Sequence, residues 1–174
     1  MKNQIEKLRG IPEELKAMSE EDQLMRHRCG DNPNNWDPNI DLRNTARLKG
    51  IIDEIGWPSI SKVGKESSSF AWLLAQHADQ DLEFQKKCLE LMKLKPEHEV
   101  DKANIAYLED RIAVNDRKPQ IYGTQFFKDS DGQRQPYPIF DKKNIEQRRK
   151  DMGLETFEKY QKDVRQKYGR GNSQ

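Results

Sequence analysis

Residues Phe70–Met92 read FAWLLAQHADQDLEFQKKCLELM. On a helical wheel turning about 100° per residue, Phe70, Leu74, Phe84, Cys88, Leu91 and Met92 fall in one broad apolar stripe. His77 and Asp81 fall near its centre, four residues apart, and so share one face of a continuous helix. The helix is expected to start near Lys65–Ser68 and to run toward Lys95, broken or unbroken near Ala78.

A carboxylate and an imidazole on a buried face are costly unless partnered. Three arrangements meet that cost. The pair forms a structural network with another helix; or the stripe faces a pocket, where Asp81 orients the His77 imidazole and raises its basicity; or the helix breaks near Ala78 and exposes both groups. A His and a carboxylate one turn apart can also be two metal ligands, with His98, Glu109 or Asp110 as a third. The stretch has no HExxH pattern, so the expectation is no metal and no cofactor. Cys88 lies eleven residues from His77, about 16 Å along a continuous helix, and is read as core rather than nucleophile.

Outward from this stretch, Ile11-Pro12-Glu13-Glu14 reads as a helix start, and Gly30 as its stop. Asp31–Asn39, DNPNNWDPN, reads as a loop, with Trp36 pinning it to the core. Asp41 is expected to cap a helix through Ile55 carrying Leu42, Ala46, Leu48, Ile51, Ile52 and Ile55, ended by Gly56-Trp57-Pro58. Asp101 caps a further helix, Lys102–Asn115. Gln120–Phe127 reads as a strand, Asp129–Gly132 as a turn and Gln133–Phe140 as a returning edge strand, because Pro136 and Pro138 cannot donate to a ladder. Val63-Gly64-Lys65-Glu66-Ser67 lacks the spacing of a phosphate loop.

Asp110 and Arg111 sit in a helix whose apolar residues wrap most of its circumference, so at least one of the charges Glu109, Asp110 and Arg111 is shielded. Arg111 suits bidentate recognition of a carboxylate or phosphate; an internal salt bridge, to Asp81 for instance, is the plainer reading. Alternation on the expected strand puts Gln120, Tyr122 and Thr124 on one side and Gly123 and Gln125 on the other.

Composition narrows the function classes. Lys and Arg number 31 and Asp and Glu 30, a net charge of +1, which gives little support to nucleic-acid binding. Charged residues make up 35% and apolar residues 33%, so the core is modest; 3 Trp, 6 Phe and 5 Tyr argue against wholesale disorder. No apolar run has the length of a membrane span and no signal-peptide pattern opens the chain, so a cytoplasmic location is expected. Two cysteines, Cys29 and Cys88, make neither a disulfide framework nor a zinc knuckle. Residues 141–170 hold ten Lys/Arg and six Asp/Glu, net +4; the Gly169–Gln174 end is expected to fray.

Arg47-Leu48-Lys49, Gly56-Trp57-Pro58, Val63-Gly64, Ala71–Asp79, Phe84-Gln85, Tyr107–Arg111 and Gln120–Gln125 resemble, in order and spacing, an uncharacterised bacterial domain family of unknown function. The resemblance covers about Asp22–Gln125 and leaves the basic segment after Phe140 outside. It implies a bacterial origin and a single domain for these motifs, and carries no activity.

The expected fold is mainly α: a small helical domain over 1–140 with one short β-hairpin near 120–140, then a basic helical extension over 141–174. One functional reading is a small cytosolic enzyme, hydrolytic or acid/base, acting on a polar small molecule or a peptide group. His77 is its base and Asp81 the orienter, water is the nucleophile, and Asp110, Arg111, Gln120, Tyr122 and Gln125 hold an anionic or amide part of the substrate. The other is a non-enzymatic binding or immunity-type protein, in which His77–Asp81 is a structural network and the charged C-terminal helix meets a protein partner.

Overall fold

The structure, a computed structural model, describes residues 8–30 and 36–168. It is mainly α with one short hairpin, as the sequence reading expects. Two compact units divide it, Met1–Asn104 and Ile105–Gln174.

The first unit opens with α1, Ile11–Cys29. Pro12 occupies the first turn, where its missing N–H costs no helical bond. Glu13 and Glu14 lie at the N-terminal end and Arg26 and Arg28 at the C-terminal end, each matching the helix dipole. Gly30 ends the helix with φ 50°. Of the loop expected over Asp31–Asn39, residues 31–35 lie outside the described residues. Trp36 is 38% exposed rather than pinned in the core. The Arg26 guanidinium lies 4.6 Å from its ring centroid, so the indole is held by a cation–π contact.

Helix α2 spans Pro38–Ile55, and its cap is Asp37, whose carboxylate accepts from the Asn39 N–H. The capping role expected of Asp41 is thereby corrected: Asp41 lies one turn inside the helix and is buried. Gly56 closes α2, and Trp57 is fully buried. Next come a single turn, α3 at Ile60–Val63, then α4 at Lys65–Gln76 and α5 at Leu82–Lys93.

Of the two alternatives left open near Ala78, the structure has the break, and the stretch forms two helices. His77 terminates α4, its N–H reaching Leu73 O at 3.1 Å, and the Ala78 N–H turns tighter onto Ala75 O at 3.2 Å. Asp81 then leaves helical geometry at φ −136° and caps α5, accepting the Phe84 N–H at 3.0 Å. The last carbonyls of α4 need donors, and the fully buried Gln85 supplies them. Its Nε2 donates to Ala75 O at 3.3 Å and Gln76 O at 3.1 Å, and also reaches Asp79 Oδ1 at 3.2 Å. A side chain of α5 thus satisfies the end of α4 and holds the bend. Around it α4 packs on α1, α2, α3 and α5, with Leu15, Leu48, Ile51, Ala71, Leu74, Cys88 and Met92 in the core. Among the described residues, no helix is long and apolar enough to cross a membrane.

Helix α6, Lys102–Asn115, has the expected bounds, and Asp101 accepts the Ala103 N–H at 2.9 Å. The boundary between the units falls in its first turn. In the second unit β1, Phe126–Lys128, pairs antiparallel with β2, Arg134–Pro136, with Phe127 opposite Gln135. Both strands are shorter than expected. Residues 120–125 make no ladder beyond one bridge between Gln120 and Ile139; they wrap the carboxylate of Asp110 instead. Helices α7, Ile145–Asp151, and α8, Phe157–Tyr168, complete this unit. The frayed end expected over 169–174 lies outside the described residues.

Gly123 shows how closely that loop is packed. It has φ +72°, and a Cβ there would stand 2.6 Å from a Phe157 ring carbon. Gly123→Ala combines left-handed strain with overpacking and is expected to cost about 2–4 kcal/mol, read as a lowered denaturant midpoint.

Candidate functional site

His77 meets a carboxylate, but not that of Asp81. Its Nδ1 lies 2.9 Å and 3.0 Å from the two oxygens of Asp22, 55 residues earlier in the chain. Asp22 is 0% exposed. It also accepts from Arg26 Nε at 3.0 Å and Gln23 Nε2 at 2.8 Å. Burial pushes the Asp22 carboxyl up, but the hydrogen bond and charge of His77, the Arg26 charge and the Gln23 amide outweigh it, leaving the group below its ordinary range. A carboxylate held this way fixes the imidazole tautomer with the proton on Nδ1 and leaves Nε2 as the basic nitrogen.

Arg26 extends the network, donating from Nη2 to Asp41 Oδ1 at 2.7 Å. Asp41 is 7% exposed. Burial raises its carboxyl above the ordinary range, and the opposing charge of Arg26 does not fully offset that.

The His77 ring is 14% exposed and lines a cavity of about 260 Å³. Asp41, Thr45 and Lys49 add polar groups to its wall, and Leu42, Ala46 and Ala78 make it apolar elsewhere. This is a little smaller than the usual ~300–1,000 Å³ of ligand sites, which suits a small molecule. Among the described residues no hydrogen bond falls on His77 Nε2, because the partners of the ring are all on Nδ1.

The expected His77–Asp81 pairing is corrected by the helix break. Asp81 also lines the cavity, but its carboxylate is spent on the Phe84 N–H and on Lys49 Nζ. The Lys49 hydrogen bond holds Asp81 below its ordinary range. The ammonium of Lys49 also lies 5.3 Å from the Phe84 ring centroid. No hydrogen bond joins Asp81 to the imidazole, because its cap geometry turns the carboxylate onto the Phe84 N–H of α5.

Burial drives the Cys88 thiol up to about 12, so it carries no thiolate at neutral pH. Cys29 is buried as well and forms no disulfide among the described residues. Among the described residues no group of three or more His, Cys, Asp or Glu could hold a metal ion.

The other residues singled out in the sequence belong to the second unit and largely satisfy one another. Asp110 is 0% exposed and accepts four hydrogen bonds. These come from the Ile121 N–H at 2.7 Å, the Tyr122 N–H at 3.0 Å, the Thr124 N–H at 2.9 Å and the Thr124 hydroxyl at 2.9 Å. Burial raises its carboxyl, and the donors offset this in part. Gln120, also sealed, donates to Gln125 O and Tyr137 O and accepts from the Gln125 N–H. Arg111 Nη1 donates to Gln125 Oε1 at 3.3 Å, and the Tyr122 hydroxyl to Glu109 Oε2 at 3.3 Å. Burial and the neighbouring Glu109 lift the Tyr122 phenol to about 12. The expectation that Asp110 and Gln120 contact a substrate is corrected: both are enclosed and organise a loop. The strand alternation fails for the same reason, since the loop follows a carboxylate rather than a ladder.

Sequence reasoning missed Asp22, Arg26 and Lys49 as site residues and took Asp41 only as a cap, although a signal was present. Leu15, Met18, Asp22, Met25 and Cys29 follow helical spacing, and all five are buried. An acid inside an apolar stripe, with an Arg four residues on, marks a buried pair. Asp41, Asn44, Leu48, Ile51 and Ile52 repeat the pattern on α2.

Neither a curated protein nor a solved structure matches the chain. A family model does match, over residues 10–172. That span is wider than the resemblance carried by the motifs, and takes in the basic segment after Phe140. The chain belongs to DUF6624, a family of unknown function.

Proposed function

We propose that the first unit carries a small acid/base site, hydrolytic in reaction type, with His77 as general base and Asp22 as its orienting carboxylate. The observation that carries this reading is the position of His77, with Nδ1 tied to a sealed carboxylate and the ring lining a cavity. Water bound against Nε2 is the nucleophile, since no Ser or Cys lines the cavity and the Thr45 hydroxyl on its wall makes no hydrogen bond to the imidazole. Lys49 on the same wall can stabilise negative charge that develops on a carbonyl or leaving oxygen. The substrate is a polar small molecule or a peptide group, and no cofactor is required by this scheme. Asp81 acts as a positioning residue for Lys49 rather than as the orienter of His77.

The test is His77→Asn, which keeps a donor near the Nδ1 position and removes Nε2. Against a panel of small chromogenic esters and amides, the wild type is expected to turn over at least one member. The variant should lose about 100-fold or more in kcat while keeping its melting temperature within a few degrees. Equal turnover by both proteins, or none by the wild type across the panel, would remove the enzyme reading.

A second reading has its own support. Asp22, Arg26, Asp41 and His77 form one connected polar network that ties α1, α2 and the α4–α5 link. Networks of this kind also serve structure alone. The protein is then a non-enzymatic binding or immunity-type protein, and the charged face of α8 meets the partner.

A further inference from the structure

With His77 in the neutral form that its proposed role as base requires, the groups around the cavity do not balance in charge. Lys49 is matched by Asp81. Arg26 carries one positive charge and serves two carboxylates, Asp22 and Asp41. Asp22 is fully sealed and receives Gln23, Arg26 and His77. Asp41 receives Arg26 on Oδ1 only; among the described residues, no hydrogen bond falls on Oδ2. In that form of His77, one carboxylate charge in the set of Asp22, Arg26 and Asp41 stays unmatched. The open oxygen belongs to a side chain that is 8% exposed and lines the cavity.

We propose that this cavity binds a small molecule bearing a protonated amine, with the ammonium group against Asp41 Oδ2 and a short apolar portion on Leu42, Ala46 and Ala78. The proposal rests on reading the cavity as the binding site, and names the chemical class it takes.

Lys49 is the group that could favour an anion instead. Its side chain is 44% exposed and that of its partner Asp81 is 34% exposed, so solvent and salt screen this pair. Asp41 is far less exposed, and an unmatched charge there acts through a lower effective dielectric. The buried carboxylate therefore dominates the choice of ligand charge. Burial already raises the Asp41 carboxyl, with Arg26 in opposition; a second cation on the open side favours the ionised form in the same direction as Arg26.

The test compares n-butylammonium, n-butanol and butyrate, which share a chain length and differ in charge. Each is titrated into the full chain by calorimetry and by two-dimensional amide NMR. Butylammonium is expected to bind at least tenfold more tightly than the other two and to shift the amides of residues 41–49 and 77–81. Asp41→Asn, which still accepts from Arg26, should abolish the preference. Butyrate binding as tightly as butylammonium, shifts confined to other residues, or no binding of butylammonium would each overturn the proposal. If Asp41→Asn does not fold, the wild-type series alone decides. None of the three probes can be hydrolysed, so this result is separate from turnover. Turnover without amine preference removes the ligand class and leaves His77 as base. Amine preference without turnover keeps the ligand and removes the enzyme.

Discussion

Asp22→Ala is expected to destabilise the chain by about 3–5 kcal/mol, the range for removing one partner from a buried ion pair. The substitution leaves His77 Nδ1 and Arg26 Nε, both largely shielded from solvent, without the sealed carboxylate that accepts from them. It also leaves a cavity at a fully buried position. The loss should appear in a urea melt as a lower midpoint with an unchanged slope. Asp22→Asn keeps the shape and one acceptor, and should cost less. The pH dependence has a definite sign. The folded-state carboxyl lies below its ordinary value, so its stabilisation is complete above the unfolded pKa of about 3.9. It is lost as pH falls through the lower, folded value. The difference between wild type and Asp22→Asn should therefore be full at pH 6 and shrink below about pH 4. A difference that stays constant down to pH 2 would show that the carboxylate charge contributes nothing to the network.

Asp110→Ala should act on the second unit with a comparable effect, about 3–5 kcal/mol, since each buried donor left unsatisfied costs roughly 1–3 kcal/mol and neighbouring losses do not add fully. Four donors converge on this carboxylate: three main-chain N–H groups and the Thr124 hydroxyl. Without it the 120–124 segment loses the acceptor that replaces a strand partner. The measurement that separates this from a general loss of packing is amide hydrogen exchange. The Ile121, Tyr122 and Thr124 amides should lose protection ahead of the α6 amides. Protection retained at all three would mean that the loop is held by Gln120 and the packing of Gly123 instead.

Much of the helical framework was legible in the chain. Asp101 and Asn115 bound α6 as the sequence reading had them, because a capping carboxylate and a run of helical spacing act within a few residues. Gly30 and Gly56 end α1 and α2 for equally local reasons. The stretch HADQD was legible only as an ambiguity. It carries a helical stripe and also two aspartates able to cap, and neither feature states which prevails. Gln85 decides it, since its amide satisfies the carbonyls that the break exposes.

The candidate site divides along the same line. His77 and a cost for burying it could be read from the wheel. Its partner could not, because the nearest carboxylate in sequence, Asp81, is claimed by the Phe84 N–H and Lys49. Periodicity, caps and turn residues are encoded by neighbours, and so the bounds of α1 and α6 and the end of α2 follow from the chain alone. Which acid meets a buried imidazole depends on which helix packs beside it, and Asp22 reaches His77 only after α1 has docked on α4. Burial energy selects that docking through the whole apolar surface of the unit, and no local spacing records it.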